Sequence, residues 1–452
     1  YAQNFTTATN SFNVSVGYDS GKAVTTGIQN TIIGGLAGDV LTDADANTVL
    51  GYAALSSDTL GSSSTAVGYA ALHNQNFTTA TAAYNTAVGT SAGISVTTGQ
   101  YNTLVGGLAG DAITDADYNA VLGYSALTTN QLGSNSVAVG SFALSAQNPA
   151  TATDMYNVAV GYSAGENVTT GQSNTFIGAL SGDAMTTGSE NTAVGYRALS
   201  TEDGNGLNTA IGVDSLMTQN AGANAYNTAV GYHSGKLVTT GVQNTLIGGL
   251  AGDSLTTGGY NIAVGVGVLS GDTQGSKSTA LGYDALSTQN FTTATDSHNT
   301  AIGFEAAKAV TTGIHNTVIG GLAGTAITIG IRNTAVGSVA LDAEVAGHYN
   351  TAVGWAALSQ QTSATSTNIY NTGIGYSAGA SVTSGFQNTF LGAYAGGAFI
   401  DADYNTALGM GALQSDTYGS KSVAVGSDAL LVQNFTTATD AFNTAVGFNA
   451  GN

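Results

Sequence analysis

A five-residue string, Asn-Thr-apolar-apolar-Gly with small variations, recurs along the chain, and its spacing constrains the fold more than any other feature. It starts at Asn13, Asn30, Asn47, Ser64, Asn85, Asn102, Asn119, Ser136, Asn157, Asn174 and Asn191, and continues through Asn208 and Asn227 to Asn443. Three steps of 17 residues and one of 21 make a higher period of 72; the step from Asn208 to Asn227 is 19 and shortens its group to 70. A length of 452 residues would otherwise suggest two or three domains, but the repeat replaces that expectation with one array over 1–452.

A 17-residue unit is too short for a helical hairpin and carries no apolar stripe of 3.6-residue period. Short apolar segments bounded by Gly, Asn and Thr read instead as strands. The expected fold is therefore all-β: a parallel β-solenoid or β-roll of about 25 coils in groups of four. Ile32-Ile33 or Ala87-Val88 supplies a strand, Gly34 or Gly89 ends it, and Val24-Thr25-Thr26-Gly27 or Val96-Thr97-Thr98-Gly99 turns the chain back toward the next asparagine. Coils about 4.8 Å apart predict a rod on the order of 120 Å long.

The asparagines at 13, 30, 47, 85, 102, 119, 157, 174 and 191 are expected to form a structural ladder, each amide donating to one neighbour and accepting from the other. Serine at the fourth coil, as at Ser64 and Ser136, breaks most runs into threes. Successive strand side chains point to opposite faces, so in pairs such as Ile32-Ile33, Leu104-Val105, Phe176-Ile177 and Phe390-Leu391 only one member can enter the lumen. The other needs cover from outside. A coaxial homotrimer would bury that stripe along its whole length, and side-by-side packing of single chains is the competing arrangement.

Composition agrees with this reading. Sixty-four glycines suit tight corners, and the single proline reflects a ladder that needs a donor in every coil. Only 8% of residues are charged, as expected where like charges would stack at coil spacing, and the 27 acids are expected mainly at turns around an apolar lumen. The absence of cysteine excludes disulfides, thiolate metal sites and cysteine nucleophiles. Seven thinly spread cations argue against nucleic acid as a partner, and no apolar run approaches the roughly 18 residues of a membrane span. Tyr1 opens inside a repeat and Asn452 closes inside one, so the chain is expected to be part of a longer fibre polypeptide.

The strings NTAVGTSAG at Asn85–Gly93 and NTAVGWAAL at Asn350–Leu358, followed by Thr-Thr-Gly turns and another Asn-Thr, resemble the 17-residue repeats of viral tail-fibre-like proteins. Such fibres often end in a self-cleaving chaperone related to that of endosialidases. NSVAVG at Asn135–Gly140 and KSVAVG at Lys421–Gly426 are also similar to head repeats of trimeric autotransporter adhesins, whose coils are shorter. The resemblance implies an extracellular, non-enzymatic shaft on a virion or cell surface that holds an attachment module away from the particle. The alternative it implies is an adhesin shaft that binds glycans or surfaces through its repeated faces.

Several motifs carry chemistry elsewhere. Gly-x-Ser-x-Gly occurs at 89–93, 161–165 and 375–379, but equivalent coils place Asp19, His233 or Glu305 where the serine stands, and a nucleophile elbow needs a helix after it and a histidine partner. Gly265-Val266-Gly267 is likewise a repeat fragment with no helix to bind phosphate. The pairs Asp43/Asp45, Asp115/Asp117 and Asp401/Asp403 are candidate Ca²⁺ ligands, with solvated turns as the plain alternative. Asn4, Asn76, Asn167, Asn290 and Asn434 begin Asn-x-Thr acceptor patterns for glycosylation. The five histidines form no repeated column. Tyr84, Tyr156, Tyr226 and Tyr370, with Phe12 and Phe442, precede the first anchor of a group, where they could stack on sugars or pad a corner.

Overall fold

A computed structural model of the chain describes residues 5–452, which divide between Tyr226 and Asn227 into two compact units. The division coincides with the one irregular step of the repeat. Each unit is a parallel β-solenoid, and the described residues contain strands and turns but no helix. Twelve three-residue strands stack in the first unit and thirteen in the second, about 25 coils in all. Register follows the repeat: Thr31 pairs with Thr48 at a 17-residue offset, while Thr65 pairs with Thr86 across the 21-residue coil. Beside most long coils a second, two-residue parallel pair forms, such as Gly61–Ser62 with Thr81–Ala82 and Gly275–Ser276 with Thr295–Asp296.

Most of each coil is turn, yet it stacks as regularly as the strand because the backbone alternates the sign of φ. After Thr31–Ile33, Gly34 has φ 136°, Leu36 57° and Gly38 48°. The N–H groups of Gly34 and Leu36 donate to Val16 and Tyr18 in the preceding coil, and those of Gly38 and Thr42 donate to Ala54 and Thr59 in the following one. Backbone donors outside the strands are thus also satisfied between coils. The strand-exit glycine is required twice over. At Gly106 an added Cβ would sit 2.4 Å from the carbonyl oxygen of Gly123 in the next coil, and φ there is 136°.

Packing inside the lumen distinguishes the coils within a group of four. In the second coil of a group the left-handed corner is glycine and the residue three places on is large: Gly38 with Leu41, Gly110 with Ile113, Gly182 with Met185, Gly396 with Phe399. A Cβ at Gly38 would lie 2.8 Å from Leu41, and one at Gly182 would lie 2.3 Å from Phe176. In the third coil the bulk moves to the corner, as in Leu55 with Asp58, Leu127 with Asn130 and Leu269 with Asp272, all of them buried. A close-packed interior of fixed cross-section accepts either arrangement but not both at once.

Candidate functional site

The outer face of the strands is where the repeat meets its surroundings. The strand pairs divide as alternation requires: Phe176 is fully buried and Ile177 is 40% exposed; Phe390 is buried and Leu391 is 47% exposed. The third strand residue is Val, Ile or Leu in every coil, from Val16 to Ile211 in the first unit and from Val230 to Val446 in the second. The first strand residue is usually threonine and is never charged. Each unit therefore carries an unbroken apolar column beside a threonine column.

Two residues beyond each strand stands a ring in many coils, and rings at equivalent positions stack. Tyr52 lies over Tyr69 with centroids 5.8 Å apart, Tyr283 over Phe304 at 5.5 Å, and Trp355 over Tyr376 at 4.8 Å. The column just before the anchors behaves alike: Tyr84, Tyr101 and Tyr118 stack at 5.4 and 4.8 Å, and Tyr349 and Tyr370 at 5.0 Å. Rings spaced by the coil rise cover one another's faces, which leaves mainly edges toward solvent.

The asparagine column works differently from an amide-to-amide ladder. Asn30 Nδ2 donates to the carbonyl of Ala44, closing its own coil at 2.7 Å, while its Oδ1 accepts the backbone N–H of Asn47 in the next coil at 2.9 Å. Asn13, Asn85, Asn157 and Asn174 close their coils on Gly27, Gly99, Gly171 and Gly188 in the same way. Asn102, Asn119 and Asn191 are each linked to the coil before through their N–H. Direct amide contacts are fewer and longer, as between Asn191 and Asn174 at 3.2 Å. The side chain sits at a corner where two backbone groups lie closer than the next amide.

Sequence reasoning missed a second inner column. Five acids that it placed at turns, Asp58, Glu202, Asp272, Glu344 and Asp416, are fully buried in the lumen, so the lumen is not wholly apolar. Asp58 Oδ1 accepts the N–H groups of Gly61 and Phe77, and its Oδ2 accepts Gln75 Nε2 at 2.6 Å. Gln75 also donates to Ser64 Oγ and accepts from Asn85 Nδ2. Asp272 with Gln289, Ser278 and Asn299 repeats the arrangement. Burial pushes the carboxyls of Asp58, Asp272 and Glu202 up, against the lowering effect of these donors. The fourth-coil serine is now accounted for: it makes room for the glutamine amide. Where asparagine stands there with a glutamate one coil earlier, at Asn350 after Glu344, its buried Nδ2 has no acceptor.

The aspartate pairs also join coils. Asp43, Asp115 and Asp401 accept hydroxyls from Thr26, Thr98 and Ser384, and Asp45, Asp117 and Asp403 accept the N–H groups of Ile28, Gln100 and Phe386. Among the described residues no group of three or more His, Cys, Asp or Glu side chains could hold a metal. Of the acceptor asparagines, Asn4 lies outside the described residues. Asn76, Asn290 and Asn434 are exposed on the inserted loops, each accepting a threonine hydroxyl from the coil before, whereas Asn167 Nδ2 donates to the carbonyl of Asp183 at 2.7 Å. The serines of the Gly-x-Ser-x-Gly strings, Ser91, Ser163 and Ser377, have positive φ and stand two residues before the corner glycines Gly93, Gly165 and Gly379.

The cations sit in isolated contacts: Lys22 with Asp19, Arg197 with Asp214, Lys277 with Asp296, Lys308 with Asp284 and Glu305, and Lys421 with Asp440. No helix of the described residues is long and apolar enough to cross a membrane. No protein-family model matches the chain, and no curated protein matches it by sequence.

Proposed function

We propose that this chain is a structural, non-enzymatic shaft of an extracellular fibre, on a virion or a cell surface, in which three copies pack coaxially through their apolar strand faces. The observation that supports it is the column of Val, Ile and Leu, present in every coil of both units and part-exposed in each. Covering a half-exposed aliphatic side chain contributes about 1 kcal/mol, so a dozen in line supply on the order of 10 kcal/mol, comparable to the loss of freedom on association. A lone apolar residue needs no partner. An unbroken column does.

Sedimentation equilibrium tests the assembly. The protein is expected to run at three times its chain mass, and the double variant Leu122→Asp, Ile177→Asp, altered at positions 51% and 40% exposed, is expected to run lighter with unchanged circular dichroism. A wild-type protein that stays monomeric across the concentration range contradicts the reading. The second reading, direct glycan binding by the shaft, draws on the exposed aromatic columns, but rings stacked at 4.8–5.8 Å offer few open faces to a sugar.

A further inference from the structure

The charge of the surface reverses in the fifth group. The second coils of the first two groups, residues 30–46 and 102–118, each carry three aspartates and no cation. In the fifth group the equivalent coil, residues 316–332, has Thr325, Ile329 and Ile331 where the first has Asp39, Asp43 and Asp45, and Arg332 where the first has Ala46. The formal charge of that coil thus goes from −3 to +1, in a chain of −20.

Arg332 ends a column of like character. Lys277, His298, His315 and Arg332 stand just before the anchor in four successive coils, all with positive φ, and all are exposed. His298 and His315 stack with centroids 5.2 Å apart and planes 9° from parallel, and among the described residues no nitrogen of either ring has a hydrogen-bond partner. Arg332 Nη1 donates to the Tyr349 hydroxyl at 2.9 Å, and no carboxylate of the described residues pairs with the guanidinium. Lys277 differs: it holds Asp296, the acid beside His298, at 2.6 Å. Two imidazoles and a guanidinium are therefore left in line with their donors open to solvent.

The line runs over two coil rises, roughly 10 Å, which is longer than a single oxyanion and suits a chain that bears anionic groups at intervals. On the same turns the side chains that replace the aspartates are aliphatic; Ile329 is 41% exposed. A ligand with C–H surface between its charges meets both features. Nucleic acid fits less well, since the nearby Tyr349 ring has Arg332 on one side and Tyr370 on the other and leaves little face for a base. We propose that the stripe of His298, His315 and Arg332 binds a strand of acidic polysaccharide, its carboxylate or sulfate groups accepting from these side chains and its C–H surface lying against Ile329. The site is local to the fifth group and does not depend on the shaft reading.

Biolayer interferometry of the full chain on immobilised polygalacturonate and dextran sulfate, with neutral dextran and polyphosphate as references, tests it at low ionic strength. Both acidic polymers repel a chain of −20 as a whole, so retention reports a local site. At least one is expected to bind with Kd on the order of 0.1 mM; binding to one alone supports the proposal and identifies the anionic group. The variants Arg332→Ala and His315→Gln install the residues that the repeat itself has at Ala46 and Gln29, so the fold is preserved, and each should weaken binding at least about fivefold. Lys421→Asn, which copies Asn135, removes a positive charge from the same column in the sixth group and should leave binding unchanged. No retention on either acidic polysaccharide, equal retention on neutral dextran, tighter binding of polyphosphate, or an equal loss in Lys421→Asn overturns the proposal. Sedimentation of the same variants keeps the two readings separable, since the assembly state should not change.

Discussion

Two residue types hold each coil, for opposite reasons. Glycine at the strand exit is there for what it lacks: Gly106→Ala would combine a disfavoured φ with a backbone contact 2.4 Å away, and neither coil can shift without breaking its ladder. This substitution is expected to lower the urea midpoint of the first unit markedly, whereas Gly107→Val, where an added Cβ would meet only the Tyr124 ring at 3.6 Å, should leave it nearly unchanged. Asparagine is there for its two ends. Asn102→Ala removes the closure on Ala116 and the acceptor for the N–H of Asn119, and should cost about 2–4 kcal/mol, since two buried backbone groups lose their partners. A change below about 0.5 kcal/mol by chemical denaturation would show that the column is dispensable. Both residues were legible in the sequence as recurrent columns. The partners of the amide were not, because spacing specifies which residues align, not which backbone groups lie nearest.

At the scale of the element, the unit of construction is the group of four coils. Its alternation of Gly with a large side chain, then Leu with Asp, Asn or Glu, could have been read from strings such as GGLAGDVL and GYAALSSD, had positions within the coil been compared as pairs. Taken singly, an acid between serines and threonines looks like a solvated turn. The buried acids make stability depend on pH with a definite sign. Burial raises Asp58, Asp272 and Glu202, so the fold favours their protonated forms, and the stabilisation is complete below the ordinary carboxylate range of about 4 and is lost as pH rises through the folded-state values. Asp39, Asp183 and Asp253 shift the same way; Asp296, held by Lys277, shifts the other. The protein should therefore melt higher at pH 4 than at pH 7. Asp272→Asn copies Asn130, whose Oδ1 also accepts the N–H three residues on, and should raise the melting temperature at pH 7 while flattening its pH dependence. A melting temperature that falls on acidification contradicts this account.

For the whole molecule, the repeat made the solenoid readable, because stacking identical coils is the way a 17-residue unit can bury its apolar positions. The outer column was readable too, from adjacent apolar pairs that cannot face the same way. What covers it lies beyond any single chain. Charge shapes the assembly proposed: −20 per chain becomes about −60 for three, enough to keep shafts apart at low ionic strength, and lateral clustering should grow with added salt.

Small-angle scattering of the purified chain on an absolute scale measures copy number directly. The three-chain shaft predicts a forward scattering of three chain masses that holds on dilution. A forward scattering of one chain mass across the concentration range would contradict it.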